Sequence, residues 1–166
     1  MAYRIGVLIV SDRAARGERE DRCLDQFRKI LHDTQFEIEA EALCSDEPAE
    51  IRAALGALLQ AKPHLLFTCG GTGCAPRDNT PEVSAELIDA DVPGIAEAIR
   101  RISAELNPNA IYSRAVSGFA GNTLLINLPG SPRAVSEILA FLAPTLDHPL
   151  QLRAERLADC ADPIDS

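Results

Sequence analysis

A chain of 166 residues, 46% hydrophobic and 25% charged, has the composition of one ordinary globular domain, and folding at this size buries roughly 70% of the surface exposed when unfolded. Its net charge of −9 argues against a nucleic-acid partner, because neutralising phosphates needs a surplus of Lys and Arg. The five cysteines are odd in number and contain no CxxC pair, which argues against structural zinc and a disulfide framework and points to the reducing cytoplasm.

In chain order, the β-branched run Ile5 to Val10 predicts a first strand, and Leu24, Phe27, Ile30 and Leu31 fall on one face of a helix. Phe36 to Leu43 alternates apolar residues with Glu37, Glu39 and Glu41, the pattern of a half-exposed strand towards a sheet edge. Ile51, Leu55, Leu58 and Leu59 mark a second helix. His64 to Cys69 is a short apolar run, read as a buried strand, with Gly70, Gly71 and Gly73 directly behind it. Ile95, Ile99, Ile102 and Leu106 build a helix that Pro108 ends. Ala115 to Phe119 and Thr123 to Leu128 are strands around a Gly121-Asn122 turn, and Val135, Ile138, Leu139 and Leu142 give the closing helix. No leader signal and no apolar run of membrane-spanning length occurs, so no membrane partner is expected. The expected organisation is one domain over residues 1–150 and a polar surface tail over 151–166, with the change placed after His148.

Strands alternating with helices predict a parallel sheet covered on both faces, and ligands of such sheets bind outside the carboxyl ends of the strands. Four segments fall there: Ser11-Asp12-Arg13, Ser45-Asp46-Glu47, Gly70-Gly71-Thr72-Gly73 with Arg77-Asp78, and Pro129-Gly130-Ser131-Pro132. The glycine loop offers amides without Cβ obstruction to an anion, or else is a tight turn that needs positive φ; alone it does not decide between these. It lacks the GK[ST] ending of a P-loop. Asp78 precedes a helix that Pro81 starts with Thr80 as its cap, and is either a surface carboxylate or a magnesium ligand. Asp46 either caps the helix near Pro48 or shares a metal with Asp78. Ser131 before Pro132 reads as a helix cap that also faces anions. Asp12 and Arg13 either pair with each other or contact ligand. The three histidines show no metal spacing, and no base stands ready for Cys69 or Cys74 as a nucleophile.

Taken together, Thr68-Cys69-Gly70-Gly71-Thr72-Gly73, Arg77-Asp78-Asn79-Thr80-Pro81-Glu82 and Pro129-Gly130-Ser131-Pro132 closely resemble the molybdenum cofactor biosynthesis domain family, over roughly residues 4 to 150. Ser11-Asp12-Arg13-Ala14 and Ser113-Arg114-Ala115-Val116 resemble its adenylyltransferase branch. Several ordered motifs at matching separations are far more specific than any one of them.

The resemblance implies a three-layer α/β/α sandwich with a mostly parallel central sheet, commonly a homotrimer. It implies transfer of AMP from ATP to the terminal phosphate of molybdopterin, with Mg2+ and with Asp46 and Asp78 as metal-binding and catalytic positions. Ser11, Asp12, Gly70, Gly71, Thr72, Gly73, Pro129, Gly130 and Ser131 are the implied substrate- and nucleotide-binding positions. A molybdate-inserting enzyme is the implied recipient of the product. The alternative is a non-catalytic molybdopterin-binding or carrier protein. Cys23 departs from the family pattern, in which many relatives carry Gly, and bears on where the first helix starts.

Overall fold

The structure, a computed structural model, describes residues 2–153. In chain order the elements are β1 (Tyr3–Val10), α1 (Asp12–Ala15), α2 (Cys23–Leu31), β2 (Phe36–Cys44), α3 (Pro48–Gln60), β3 (Leu65–Cys69), α4 (Thr80–Leu87), β4 (Ala90–Asp91), α5 (Pro93–Leu106), β5 (Ser117–Ala120), β6 (Thr123–Leu128), α6 (Pro132–Leu142) and α7 (Asp147–Arg153). A 3-10 segment, Pro108–Tyr112, follows α5.

The sheet runs β2-β1-β3-β6-β5-β4. β1 pairs in parallel with β2 and β3, and β3 with β6, because each of these strands is separated from the next by a helical crossover. β5 and β6 are antiparallel, joined by the expected two-residue turn with Gly121 at φ +60. β4 adds an antiparallel edge that its two residues were too short to announce. At the opposite edge β2 leaves Glu37, Glu39 and Glu41 exposed, and such charges discourage pairing with another chain.

The side-chain period of two divides the core between two faces. Ile5, Val7, Ile9, Leu65, Phe67, Leu124 and Ile126 meet Phe27 and Leu31 of α2, Ile99 of α5, and Val135, Ile138 and Leu139 of α6. Leu8, Val10, Leu66 and Leu125 meet Ile51, Leu55 and Leu58 of α3 and Val83 of α4. Three layers result, as the alternating pattern implies.

Three boundaries refine or correct the sequence expectation. The helix that starts at Cys23 is held there by Asp21, whose carboxylate accepts from the Cys23 N–H at 2.8 Å, so Cys23 itself is buried at a well-defined start. The strand expected from Ala115 begins at Ser117, because the residues before it bond elsewhere: the Arg114 amide donates to Thr72 and the Val116 amide to the Asn127 side chain. Asn127 is fully buried and donates 2.8 Å bonds to Thr68 and Ser84, tying β3, β6 and α4 together. Finally, the chain after His148 is not a polar tail through Arg153. It is the helix α7, and Leu150 is buried in the larger core. The proposed domain end at residue 150 falls within this helix, and residues 154–166 lie outside the described ones.

Candidate active site

The carboxyl ends of β1 and β3 open into a cavity of about 340 Å³ lined by Ser11, Asp46, Gly70, Gly71, Thr72, Gly73, Asp78 and Gly130, with Arg19 and Asp21 at its wall. Gly70 and Gly71 have φ of +105° and +63°, and a Cβ on Gly70 would sit 2.2 Å from the Val10 carbonyl. A Cβ on Gly71 would meet the Thr80 hydroxyl at 2.4 Å and an Asp46 carboxylate oxygen at 3.1 Å. The turn and the close approach therefore both require glycine here, and the two readings of the loop do not compete.

Each carbonyl of this loop is bonded to the protein behind it. The Thr80 hydroxyl donates to Gly70 O at 2.9 Å and the Thr80 N–H to Gly71 O at 3.2 Å. The Arg114 N–H donates to Thr72 O at 2.9 Å, and its Nε to Gly73 O at 2.6 Å. The amides of Gly71, Thr72 and Gly73 have no acceptor among the described residues. Successive unpaired amides beside a cavity form an anion receptor. Thr80 is thus not the cap of α4, as expected from sequence; Asn79 occupies that position, without a side-chain cap bond.

Asp46 and Asp12 face each other across the ends of β2 and β1. The Asp12 N–H donates to Asp46 Oδ2 at 2.8 Å, and the Asp46 N–H donates to Asp12 Oδ1 at 3.0 Å. Asp12 does not pair with Arg13. Arg77 reaches it instead with two bonds of 2.6 and 2.9 Å and donates a third to Glu47 at 2.9 Å. These bonds hold the Asp12 carboxyl below its ordinary range, whereas burial, with the charges of Asp12 and Asp78, pushes the Asp46 carboxyl up. Asp46 does not cap α3, whose N-cap is Glu47. Asp78 closes the loop by accepting from the Ala75 N–H at 2.9 Å.

No group of three His, Cys, Asp or Glu side chains able to hold a metal occurs among the described residues. Magnesium, however, commonly takes one or two carboxylates and completes its shell with substrate phosphates and water. Asp46 and Asp78, both on the cavity wall beside the unpaired amides, fit that donor set. Cys69 also lines the cavity, but burial raises its thiol well above the ordinary value, which disfavours a thiolate there.

Of the sequence-predicted positions, Asp12, Pro129 and Ser131 do not line this cavity. Ser11 and Ser131 cap α1 and α6, accepting from Ala14 and Ala134 amides at 3.3 and 3.5 Å. Pro129 and Ser131 border a second cavity of about 320 Å³ between α5 and α6, while Gly130 packs its Cα position against Gly70, 3.2 Å from where a Cβ would stand. Arg19, Arg77 and Arg114 were not assigned roles from sequence. Arg114 belongs to the stretch Ser113-Arg114-Ala115-Val116, yet nothing in the spacing says that its partners are the carbonyls of a loop some forty residues earlier.

A sequence profile of molybdenum cofactor biosynthesis domains, described as "Probable molybdopterin binding domain", matches residues 6–148. The chain is similar to the molybdopterin adenylyltransferase of Escherichia coli (strain K12), 39% identical over 140 residues that make up 82% of this chain and 71% of that protein. It is also similar to the molybdenum cofactor biosynthesis bifunctional protein of Synechococcus elongatus, 40% identical over 146 residues; these cover 88% of this chain but only 46% of that longer protein. Among solved structures, the molybdopterin biosynthesis enzyme MoaB from Thermus thermophilus matches with a TM-score of 0.86 at 43% identity, covering 92% of this chain and 97% of that one.

Proposed function

The chain belongs to the molybdenum cofactor biosynthesis domain family, and on that footing we propose that it is a molybdopterin adenylyltransferase. The observation that carries the proposal is the glycine loop: its carbonyls are bonded behind it, its amides are left for an anion, and two aspartates share its cavity. An arrangement of this kind binds and orients phosphates without supplying a nucleophile.

In the proposed reaction an oxygen of the terminal phosphate of molybdopterin attacks the α-phosphorus of ATP. A new P–O–P linkage forms, the bond to the β-phosphate breaks, and pyrophosphate leaves with the electron pair. A phosphate monoester is already ionised near neutral pH, so the protein need remove no proton. The amides of Gly71, Thr72 and Gly73 hold phosphate oxygens and keep the two anions in line. Asp46 and Asp78 are the residues that would hold Mg2+, which supplies positive charge to neutralise the phosphates. Without it these carboxylates would repel a triphosphate, so their presence favours turnover over a pure carrier role.

The other parts of the reading follow. No described helix is long and apolar enough to cross a membrane, and Cys23, Cys44, Cys69 and Cys74 are free thiols, which supports action in the cytoplasm. The exposed apolar side chains of Leu106, Ile111, Tyr112 and Phe141 lie on α5, the 3-10 segment after it and α6; they support a homotrimer assembled through this side. A monodisperse monomer in light scattering at micromolar concentration would rule the trimer out. Hand-over of adenylylated product to a molybdate-inserting enzyme completes the proposal. The test of the central claim is pyrophosphate release from ATP with magnesium, measured with and without molybdopterin. Release that depends on molybdopterin is expected; tight molybdopterin binding with no release would establish the carrier alternative.

A further inference from the structure

We propose that Arg114 is a positioning residue that holds the glycine loop in its anion-binding shape, an inference that rests on the adenylyltransferase reading for the identity of the anion. Arg114 lies outside the loop in sequence, on the strap between the 3-10 segment Pro108–Tyr112 and β5. Its bonds nevertheless hold the second half of the glycine loop and the turn up to Asp78. The backbone N–H donates to Thr72 O at 2.9 Å and Nε to Gly73 O at 2.6 Å. One terminal nitrogen donates to Asp78 O and the other to the Glu82 carboxylate.

Of these three carbonyls the backbone N–H holds Thr72 O, and the guanidinium, with its rigid fork of donors, holds Gly73 O and Asp78 O at once. A lysine ammonium keeps the charge but is a point donor that cannot reach Gly73 O and Asp78 O together in fixed geometry. The strap is itself anchored on either side: Arg100 Nη1 on α5 donates to Ser113 O at 3.3 Å and Ala115 O at 2.9 Å. The Cys74 thiol adds a 3.3 Å contact to Tyr112 O.

The consequence concerns the sign of what faces the ligand. A peptide unit carries its C=O and the N–H of the next residue on opposite sides, so Thr72 O, held by the Arg114 N–H, commits the Gly73 amide, and Gly73 O, held by Nε, commits the Cys74 amide. Residue 73 is glycine and meets no Cβ penalty on rotation. If Gly73 O loses Nε, rotation of the Gly73–Cys74 peptide is opposed only weakly, and the Gly73 carbonyl can turn as an acceptor towards the cavity that Gly73 lines. Because Glu82 already neutralises part of the guanidinium charge, the effect of Arg114 is orientation of the loop more than long-range attraction. Its loss should therefore appear in phosphate affinity and KM for ATP more than in kcat.

The experiment uses the full chain with Arg114→Ala and Arg114→Lys. Equilibrium binding of ATP and of inorganic pyrophosphate is measured without molybdopterin, KM and kcat with it, together with thermal midpoints and the amide NMR signals of Gly71, Thr72 and Gly73. Arg114→Ala should weaken binding of both anions by about tenfold or more, the scale of losing charge-assisted bonds, with a smaller fall in kcat. Added guanidinium ion at millimolar concentration should restore part of the affinity, and equal urea should not. Arg114→Lys should keep the fold and recover little, with the three amide signals shifted; it decides the matter should Arg114→Ala not fold. Wild-type anion affinity in either folded variant would overturn the inference, as would a loss that guanidinium leaves unchanged, or failure of the wild type to bind both anions. If the wild type binds ATP yet releases no pyrophosphate with molybdopterin, the adenylyltransferase reading fails and the binding comparison still judges Arg114.

Discussion

The two ends of β3 differ in how they treat their polar groups. At its amino end the groups are bonded to one another: Thr123 Oγ1 donates to Pro63 O at 2.6 Å, the His64 N–H to Arg4 O at 2.9 Å, and the Leu124 N–H to His64 O at 2.9 Å. The Arg4 N–H in turn donates to the His64 ring at 2.9 Å. At its carboxyl end the Gly70 N–H still donates to Leu128 O at 3.1 Å and the loop carbonyls are bonded, but the amides of Gly71, Thr72 and Gly73 have no acceptor among the described residues. The first end closes the sheet; the second leaves donors turned over to the cavity that Gly71, Thr72 and Gly73 line. Stability should therefore concentrate at one end and ligand chemistry at the other.

The strongest challenge to that division is removal of the carboxylates at the open end. Asp46→Asn and Asp78→Asn keep size and neutral hydrogen bonding while each removes one charge. Turnover should fall by about a hundredfold or more, the scale of lost transition-state charge stabilisation. Molybdopterin affinity and the thermal midpoint should move little, because an anionic phosphate gains nothing from a nearby carboxylate. Near-normal adenylylation by both variants, assayed across a magnesium series, would remove the mechanism and put the carrier reading ahead.

Gly71→Ala blurs the division, since it strikes both properties. The new methyl enters against the Thr80 hydroxyl and Asp46 with the backbone held at φ +63°. Non-glycine residues in such conformations cost about 1–3 kcal/mol, and the displaced Thr80 would loosen its bond to Gly70 O. ATP binding should weaken by about tenfold, and the midpoint should drop by several degrees at roughly 2–4 °C per kcal/mol for a chain this size. Unchanged ATP affinity beside a lowered midpoint would show the loop to be a turn and nothing else.

What the sequence revealed and concealed follows the same division. The buried strands, the charged edge strand and the glycine loop are local patterns, so their positions were legible, as were Asp46 just after β2 and Asp78 in the loop between β3 and α4. Partners distant in sequence were not. Asp12 has Arg13 beside it, yet its salt bridge goes to Arg77, because the start of α1 and the loop after β3 converge only once the sheet forms. Thr80 looked like a helix cap since caps are local; its hydroxyl serves the Gly70 carbonyl ten residues back. α7 was missed because Leu150 is its single buried residue and one apolar position sets no period.

At the closed end, Thr123→Val tests the other half of the comparison. The side chain is buried and nearly isosteric with valine, so packing is kept while Pro63 O loses its donor. A buried unsatisfied carbonyl costs about 1–3 kcal/mol. Denaturant or thermal unfolding should register that loss, and kcat and KM should remain at wild-type values because nothing at the carboxyl end is touched. A change in KM for ATP with the midpoint unaltered would mean that the two ends are coupled.

The smallest expected effect is the separation of two neighbouring aspartates by pH. Asp12 is held below its ordinary value chiefly by its bonds to Arg77, so its contribution to the fold is present above the unfolded aspartate value of about 3.9 and is lost as pH falls through its lower folded value. Asp46 is raised, chiefly by burial, so the folded protein binds its proton before the unfolded chain does. Between those two points acidification favours the folded state at this group, even as the carboxylate proposed to hold a cation is lost. Activity should consequently decline at a higher pH than stability does. Carboxyl-carbon NMR should find Asp46 titrating above about 3.9 and Asp12 below it. Arg77→Ala should move both groups up: Asp12 loses the bonds that hold it down, and Asp46 loses the smaller lowering that the Arg77 charge gives it. Identical titration of the two aspartates in the wild type would show that burial and the Arg77 bonds do not distinguish them, and the carboxylates at the open end would then be interchangeable.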